Sequence, residues 1–228
     1  MKLKSFEKTY TGKHLNQYAL TYENKDGKTK VYEMVSRSHY EDVSQIATHV
    51  DGVSIVALQK VKQKKEKHKE NDSVFKMNTV CLNRNTVSET EDYSEHNQYR
   101  LLLLKEFRLG INKTIYNLCA GLKLSNESIE DCVRRELYEE TGLEVKRIID
   151  VLPPSYSAVA ISDILTSIVF IEVDADDQIE DHTSANEEIT AAFYNRKEVE
   201  EILRRDQLSS RAQGMAYFFS KGLLEPLY

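Results

Sequence analysis

The sequence predicts a mixed α/β (α+β) fold, in which a mixed sheet packs between helices and a β-rich appendage precedes it. Segments with strand-like alternation or short apolar runs recur along the chain, whereas helical periodicity is confined to three segments. These strands and helices do not alternate strictly, which argues against a parallel sheet built from βαβ units. The 228 residues, 40% of them hydrophobic and 30% charged, suffice for one large domain or for one domain with an appendage.

The N-terminal appendage is predicted over residues 1–48 and contains a β-hairpin. In the segment LNQYALTYEN, Tyr18, Leu20 and Tyr22 alternate and share one face of a strand. The turn NKDGK then leads into a second strand, TKVYEMVSR, through a loop longer than two residues. Residues 49–228 are assigned to the main domain, which begins with the short apolar strand DGVSIVALQ.

A polar insertion is predicted within the main domain at residues 60–98. It opens with the Lys-rich run KVKQKKEKHKENDS, in which six lysines fall between Lys60 and Lys69. Such a run suits either an anion-binding patch or a solvated hairpin tip. We favour the solvated tip, because a charge run without aromatic residues is a weak sign of nucleic-acid binding.

The second half of the chain supplies most of the predicted core. The segments YRLLLLKEF, KTIYNLC, LEVKRIIDVL, LTSIVFIEV and ITAAFYN are predicted as strands. A helix is predicted over about residues 128–141, with Ser128 as its N-cap and Asp131 completing a capping box. Two further helices are predicted near residues 196–204 and 209–221.

Composition and the missing motifs exclude several classes of protein. A net charge of -6 argues against a general nucleic-acid binder, and no apolar run approaches the roughly 20 residues that span a bilayer. The N-terminal residues do not resemble a signal peptide, so we expect a cytoplasmic protein without a membrane or nucleic-acid partner. Cys81, Cys119 and Cys132 lack C-x-x-C spacing, which indicates neither a disulfide framework nor a zinc site.

The stretch RRELYEETG, residues 134–142, places three carboxylates where they disfavour a helix. Glu136, Glu139 and Glu140 share one helical face and repel one another. They also lie near the C-terminal end of the helix, where its dipole is negative. A bound cation would offset both costs, although a solvated acidic helix end is the simpler alternative for such a run taken alone.

The same stretch belongs to a longer pattern. The segment GLKLSNESIEDCVRRELYEETGL matches G-x5-E-x7-R-E-U-x-E-E-x-G-U, with U a bulky aliphatic residue, at Gly121, Glu127, Arg135, Gly142 and every other defined position. This pattern resembles the signature of the Nudix hydrolases. The resemblance implies a Nudix α/β/α sandwich and a Mg²⁺-dependent enzyme that hydrolyses a nucleoside diphosphate linked to another moiety.

Carboxylates suit this chemistry because a diphosphate is anionic and needs a hard cation beside it. Glu136 and Glu140, one turn apart, are expected to hold Mg²⁺ (or Mn²⁺), with Glu139 beside them and with Glu139 and Glu140 as catalytic candidates. The resemblance adds the backbone carbonyl of Ala120 as a metal ligand. Arg135 is expected to be a structural partner of the helix carboxylates.

Residues outside this pattern resemble the ADP-ribose pyrophosphatase branch of the family. In KEFRLGINKTIYNLCAGL the resemblance implies that Arg108 contacts the diphosphate. VYEMVSR is similar to that branch's W-E-x-V-x-R strand, which implies that Tyr32 stacks on adenine, Glu33 binds the base amino group and Arg37 meets phosphate. An interior tyrosine and two surface charges are the plain alternative for these three residues.

The branch further implies a homodimer that exchanges its N-terminal strands, and a general base just before a late strand. The segment SANEEITAAFYN offers Glu187 or Glu188 as that base. The chain departs from the branch at its long insertion, at Cys119 in place of a common proline, and at Ala158, where ADP-ribose enzymes usually carry proline.

The best candidate substrate is therefore ADP-ribose, a nucleotide sugar that would be cut to AMP and ribose 5-phosphate. Another nucleotide sugar, a dinucleotide or a nucleoside triphosphate remains open as substrate, because Ala158 departs from the branch pattern. A non-catalytic regulator that senses a nucleotide sugar is a further alternative, which the intact carboxylate pattern disfavours.

Overall fold

The computed structural model describes residues 1–61, 99–174, 176–180 and 188–224. Nearly all of the predicted insertion lies outside these residues, as do Cys81 and Glu187. The part of the chain that is described forms a three-stranded sheet, an eight-stranded sheet and three α-helices.

The first three strands form a separate antiparallel sheet, here called the N-terminal sheet. Its strands, in spatial order, are β1 (Lys2–Thr11), β2 (Asn16–Glu23) and β3 (Thr29–Ser36). Tyr18 and Leu20 are buried on one face as expected, whereas Tyr22 is only partly buried. Phe6 of β1 stacks on Tyr18 with ring centroids 5.1 Å apart. Strand β1 had not been predicted individually, because most of its side chains are exposed and it therefore lacks a clear apolar alternation.

The main sheet is mixed, as predicted. Its strands are β4 (Gly52–Lys60), β5 (Tyr99–Arg108), β6 (Lys113–Asn117), β7 (Cys119–Leu122), β8 (Arg147–Val151), β9 (Ser155–Tyr156), β10 (Leu165–Val173) and β11 (Ile189–Tyr194). The central order is β11-β5-β4-β10-β8, with β6 added to β5, β7 to β4 and β9 to β10. Strands β4 and β10 run parallel, and the other pairs described for this sheet are antiparallel.

Helices cover both faces of the main sheet. Helix α1 (Ile129–Thr141) packs on one face, and α2 (Arg196–Arg205) and α3 (Ser210–Ser220) pack on the other. The run of four leucines in β5 divides between the two cores: Leu102 and Leu104 join the α1 side, and Leu101 and Leu103 join the α2–α3 side. Burying each leucine contributes about 1.5–3 kcal/mol, so a continuous apolar run is what a strand covered on both faces requires. The α/β/α sandwich is thus confirmed.

The ends of α1 differ slightly from the prediction. Ser128 Oγ accepts a hydrogen bond from Asp131 N at 3.0 Å, which confirms the N-cap. The capping box is wrong, because the Asp131 carboxylate accepts instead from the Ser128 hydroxyl at 2.7 Å. Aspartate is one methylene shorter than the glutamate or glutamine of a capping box. At the other end, Gly142 adopts φ 70° and its N–H donates to Tyr138 O at 2.8 Å.

Two of the cysteines contribute to the core. Cys119 and Cys132 are both buried and unbridged in the cluster between α1 and the sheet. Among the three described helices, none has the length and apolar character needed to cross a membrane.

Candidate active site

Arg135 of α1 gathers the acidic side chains on one side of the helix. Its Nε donates to Glu127 Oε1 at 2.8 Å and its Nη2 donates to Glu127 Oε2 at 2.9 Å, a two-point ion pair. The same Nη2 also donates to the Leu122 carbonyl at 2.9 Å. Hydrogen bonding to Arg135 lowers the pKa of Glu127 to about 2, so that this carboxylate stays ionised.

The other terminal nitrogen of Arg135 reaches two carboxylates of the acidic stretch. Nη1 lies 2.6 Å from Glu136 Oε1 and 3.0 Å from Glu139 Oε2. The Glu136 side chain is only 12% exposed, whereas that of Glu139 is 56% exposed. Burial raises the pKa of Glu136 despite its bond to Arg135. One guanidinium therefore contacts three carboxylates, and it does not fully offset the cost of burying Glu136.

Glu140 lies apart from the contacts of Arg135 described above, against β7. Its Oε2 accepts a hydrogen bond from Ala120 N at 3.3 Å. Burial raises the pKa of Glu140 to about 7, and the charges of Glu136 and Glu106 add to the rise. Hydrogen bonds from the Cys119 thiol and from Ala120 N oppose it. A buried carboxylate with nearby negative charges is electrostatically suited to a cation.

Gly121 allows the backbone of β7 to lie against the Glu136 carboxyl group. A Cβ atom at Gly121 would overlap that carboxyl group. A Cβ atom at Gly52 of β4 would in turn overlap the carbonyl oxygen of Gly121. Both positions need glycine for close approach, and sequence reasoning had identified only Gly121.

A cavity of about 510 Å³ opens beside Glu140. Its lining also includes Arg108 at the end of β5 and Glu188 just before β11. The fold thus brings together three predicted site residues from distant parts of the sequence. A hydrogen bond from Phe107 N to Glu188 O, at 3.1 Å, fixes the start of β11 beside β5. Glu187 lies outside the described residues.

Glu106 is a cavity residue that sequence reasoning missed. It is 7% exposed; its Oε1 accepts from Asn117 Nδ2 at 2.6 Å and its Oε2 lies 3.3 Å from Arg108 Nη1. The signal was present in the sequence. Leu102 and Leu104 point to the α1 side of β5, and the next residue in that period-two alternation is Glu106.

The predicted nucleoside-binding residues lie elsewhere. Tyr32, Glu33 and Arg37 sit at the exposed edge of β3 or just after it, and none is among the described residues that line the cavity. The Tyr32 hydroxyl donates to the carbonyl of Ala160 in the segment that follows Ala158. Within one chain, the structure does not bring these three residues to Glu140.

The oxygen donors beside the cavity fit a hard divalent cation. Within the described ranges, no three His, Cys, Asp or Glu side chains converge to form a complete metal site. Mg²⁺ does not require such a cage, because it commonly binds one or two carboxylates and completes its shell with water and substrate phosphates. Glu136, Glu140 and the backbone carbonyl of Ala120 would supply such a partial set.

Comparison with known proteins agrees with the fold described above. A family model described as NUDIX domain matches residues 93–218, more than half of the chain. A crystal structure described as an ADP compounds hydrolase matches with a TM-score of 0.56 and 13% identity, covering 98% of this chain and 95% of that one. At this identity the likeness shows a shared fold alone. A comparison with curated proteins found no match.

Proposed function

The chain belongs to the family of Nudix hydrolases, and from that premise we propose that it hydrolyses ADP-ribose to AMP and ribose 5-phosphate. The observation that carries the proposal is the shared cavity of Glu140, Arg108 and Glu188. It combines a cation-seeking carboxylate, a phosphate-binding guanidinium and a further carboxylate at one place. Hydrolysis of a diphosphate needs these three functions together.

Arg108 is proposed to bind the diphosphate. Its side chain is 57% exposed at the cavity, so a ligand can reach it. A guanidinium presents two parallel N–H donors to phosphate oxygens, which fixes orientation as well as charge. The substrate would then lie with its diphosphate between Arg108 and Glu140.

Glu136, Glu140 and the Ala120 carbonyl are proposed to hold Mg²⁺, with Mn²⁺ as a substitute. When bound, the ion would neutralise phosphate charge and lower the pKa of water. Arg135 would keep Glu136 oriented from the other side of α1 through its 2.6 Å contact. Glu139, which is exposed and bound to Arg135, is the weaker candidate for direct action.

Glu188 is proposed as the general base that takes a proton from the attacking water. It lines the cavity, and its backbone is anchored to Phe107 of β5. A carboxylate within hydrogen-bond reach of the water would suffice for this role. Glu187 stays a candidate on the sequence alone.

The choice of an ADP-linked substrate rests on the resemblance of VYEMVSR to the ADP-ribose branch and on the description of the structural neighbour as an ADP compounds hydrolase. Tyr32, Glu33 and Arg37 do not reach the cavity of their own chain. We therefore propose a homodimer, located in the cytoplasm, in which these residues serve the site of the partner copy.

The test is hydrolysis by the purified chain with Mg²⁺ and with excess EDTA. The panel comprises ADP-ribose, another ADP-sugar, a uridine sugar, an adenine dinucleotide and ATP, with phosphate release after phosphatase coupling as readout. We expect Mg²⁺-dependent cleavage with ADP-ribose first and other ADP-linked compounds close behind. A tenfold preference for ATP or a uridine sugar would reject the proposed substrate, and binding without cleavage would indicate a sensor.

A further inference from the structure

Glu106 is a buried carboxylate in the cavity that has no part in the steps proposed so far. It is the one acidic residue of β5, a strand that includes four leucines, and its side chain is 10% exposed. Its charge also raises the pKa of Glu140 and lies where an anionic substrate would approach. A carboxylate that is costly to bury, and whose charge repels both Glu140 and an anionic substrate, calls for a physical reason.

We infer that Glu106 is a positioning residue for substrate binding, which holds the Arg108 guanidinium in the cavity for contact with the diphosphate. This inference rests on the proposed function, since it assigns Arg108 to the substrate. The geometry is a carboxylate whose one oxygen lies 3.3 Å from Arg108 Nη1 and whose other oxygen is anchored at 2.6 Å by Asn117 Nδ2.

The anchor continues into the rest of the fold. Asn117 Oδ1 accepts from Leu118 N at 3.0 Å and from the Ser209 hydroxyl at 2.6 Å. Ser209 caps α3, and its backbone N donates to Tyr116 O at 3.0 Å. Because Asn117 Oδ1 accepts these two hydrogen bonds, the amide nitrogen is the group that faces Glu106, and this nitrogen can only donate.

An uncharged isostere would reverse the contact with Arg108. In Glu106→Gln the amide oxygen would accept from Asn117, which turns the amide nitrogen toward the guanidinium. Two donors would then face each other, and Arg108 would lose its acceptor. Because Arg108 is more than half exposed, its side chain would then sample other rotamers in solvent.

A positioning role and a purely electrostatic role for Glu106 predict opposite changes in substrate affinity for this variant. If Glu106 were only a negative charge near the substrate, Glu106→Gln would strengthen the binding of an anion. If it positions Arg108, the variant weakens binding. We expect KM for ADP-ribose to rise about tenfold with kcat within about twofold, a loss of about 1.4 kcal/mol in binding.

A double-mutant cycle with Arg108→Gln tests whether Glu106 affects substrate binding through Arg108. Glu106→Gln should raise KM in the wild-type background and should leave it unchanged or lower it when Arg108 is already replaced. A lowered KM in the wild-type background, or an equal rise in both backgrounds, would overturn the inference. A fall in kcat with unchanged KM would also overturn it, by placing Glu106 with the metal ligands.

Asn117→Asp provides a second, isosteric variant if Glu106→Gln folds poorly. It keeps the acceptor for Leu118 N and Ser209 but places an oxygen against Glu106, so KM should rise again. Calorimetric binding of inorganic pyrophosphate to wild type and Glu106→Gln separates the two proposals. Tenfold weaker pyrophosphate binding in the variant supports the inference even if ADP-ribose is not the substrate, and equal binding overturns it even if wild type hydrolyses ADP-ribose.

Discussion

Glutamates on the two sides of α1 have pKa values that are shifted in opposite directions. On the arginine side, defined by Glu127, Arg135 and Glu139, a guanidinium lowers the pKa of Glu127 to about 2. On the cavity side, defined by Glu106, Glu140 and Glu188, burial raises the pKa of Glu140 to about 7. The difference shows that the carboxylates gathered around one helix fall into two groups with different roles. One side has its cation built into the chain, and the other is where we propose that a cation from solution binds.

Removing the charge on the cavity side should have the largest effect. Glu140→Gln keeps the shape of the side chain and its helix propensity but deletes a proposed metal-ligand charge. We expect kcat to fall about a thousandfold, measured by steady-state hydrolysis with Mg²⁺. Glu130→Gln, an exposed residue of the same helix, is the matched control and should retain normal turnover. Near-normal activity of Glu140→Gln would remove the metal assignment.

Loss of the general base should cause the second-largest fall in activity. The double variant Glu187→Ala with Glu188→Ala is expected to lower kcat about a hundredfold while substrate binding changes little, because a general base acts on the transition state. Single variants then show which glutamate acts. Full activity in the double variant would move the base to another residue, with Glu139 the next to test.

Breaking the arginine side should have a mixed effect. Arg135→Gln leaves Glu127 without its two-point partner and leaves Glu136 without its orienting contact. We expect a melting temperature lower by several degrees and a kcat about tenfold lower, since positioning partners of metal ligands typically matter by about 10–100-fold. A variant that loses turnover like Glu140→Gln but melts normally would mean that Arg135 acts directly in catalysis.

The two sides should also show opposite pH dependence in metal-free protein. The folded-state pKa of Glu140 lies above its ordinary value, so its stabilising contribution is full below about pH 4.5 and is lost as pH rises through about 7. The lowered pKa of Glu127 gives a contribution that is present above about pH 4.5 and is lost as pH falls toward 2.

Melting temperatures in EDTA provide the measurement. We expect wild type to lose a few degrees between pH 5 and 8, and Glu140→Gln to lose less over the same range. Added Mg²⁺ should restore stability most at the higher pH, where Glu140 is ionised. If Glu140→Gln and wild type follow the same curve, the carboxyl group of Glu140 does not carry this pH dependence.

The sequence predicted the fold well where its patterns were local. The bounds of β10 agree residue for residue with the segment LTSIVFIEV, because a strand buried on both faces carries apolar residues at consecutive positions, here Ile168 to Ile171. The capping box at Ser128 was wrong by the length of one methylene. Strand β1 lacked a pattern of its own, because its pairing with β2 rather than its own periodicity defines it.

The sequence predicted which residue types form the site, but it did not predict how all of them are arranged in space. The spacing of Glu136 and Glu140 follows from the helix alone, but the meeting of Glu140 with Arg108 and Glu188 depends on strand order. Glu106 was missed because only its burial makes this acid unusual, and its place in the alternation of Leu102 and Leu104 had not been used. The packing of Gly52 against Gly121 depends on the pairing of two strands distant in sequence.

That pair of glycines sets limits on how the enzyme can be engineered. In a saturation library, positions 52 and 121 should be depleted of every residue except glycine, because any Cβ would push backbone into backbone or into the Glu136 carboxyl group. On the opposite rim, Leu109 is 85% exposed and a Cβ on Gly110 would meet open space. A library that aims to change substrate range should therefore vary Leu109 and Gly110 of the cavity lining and keep both glycines.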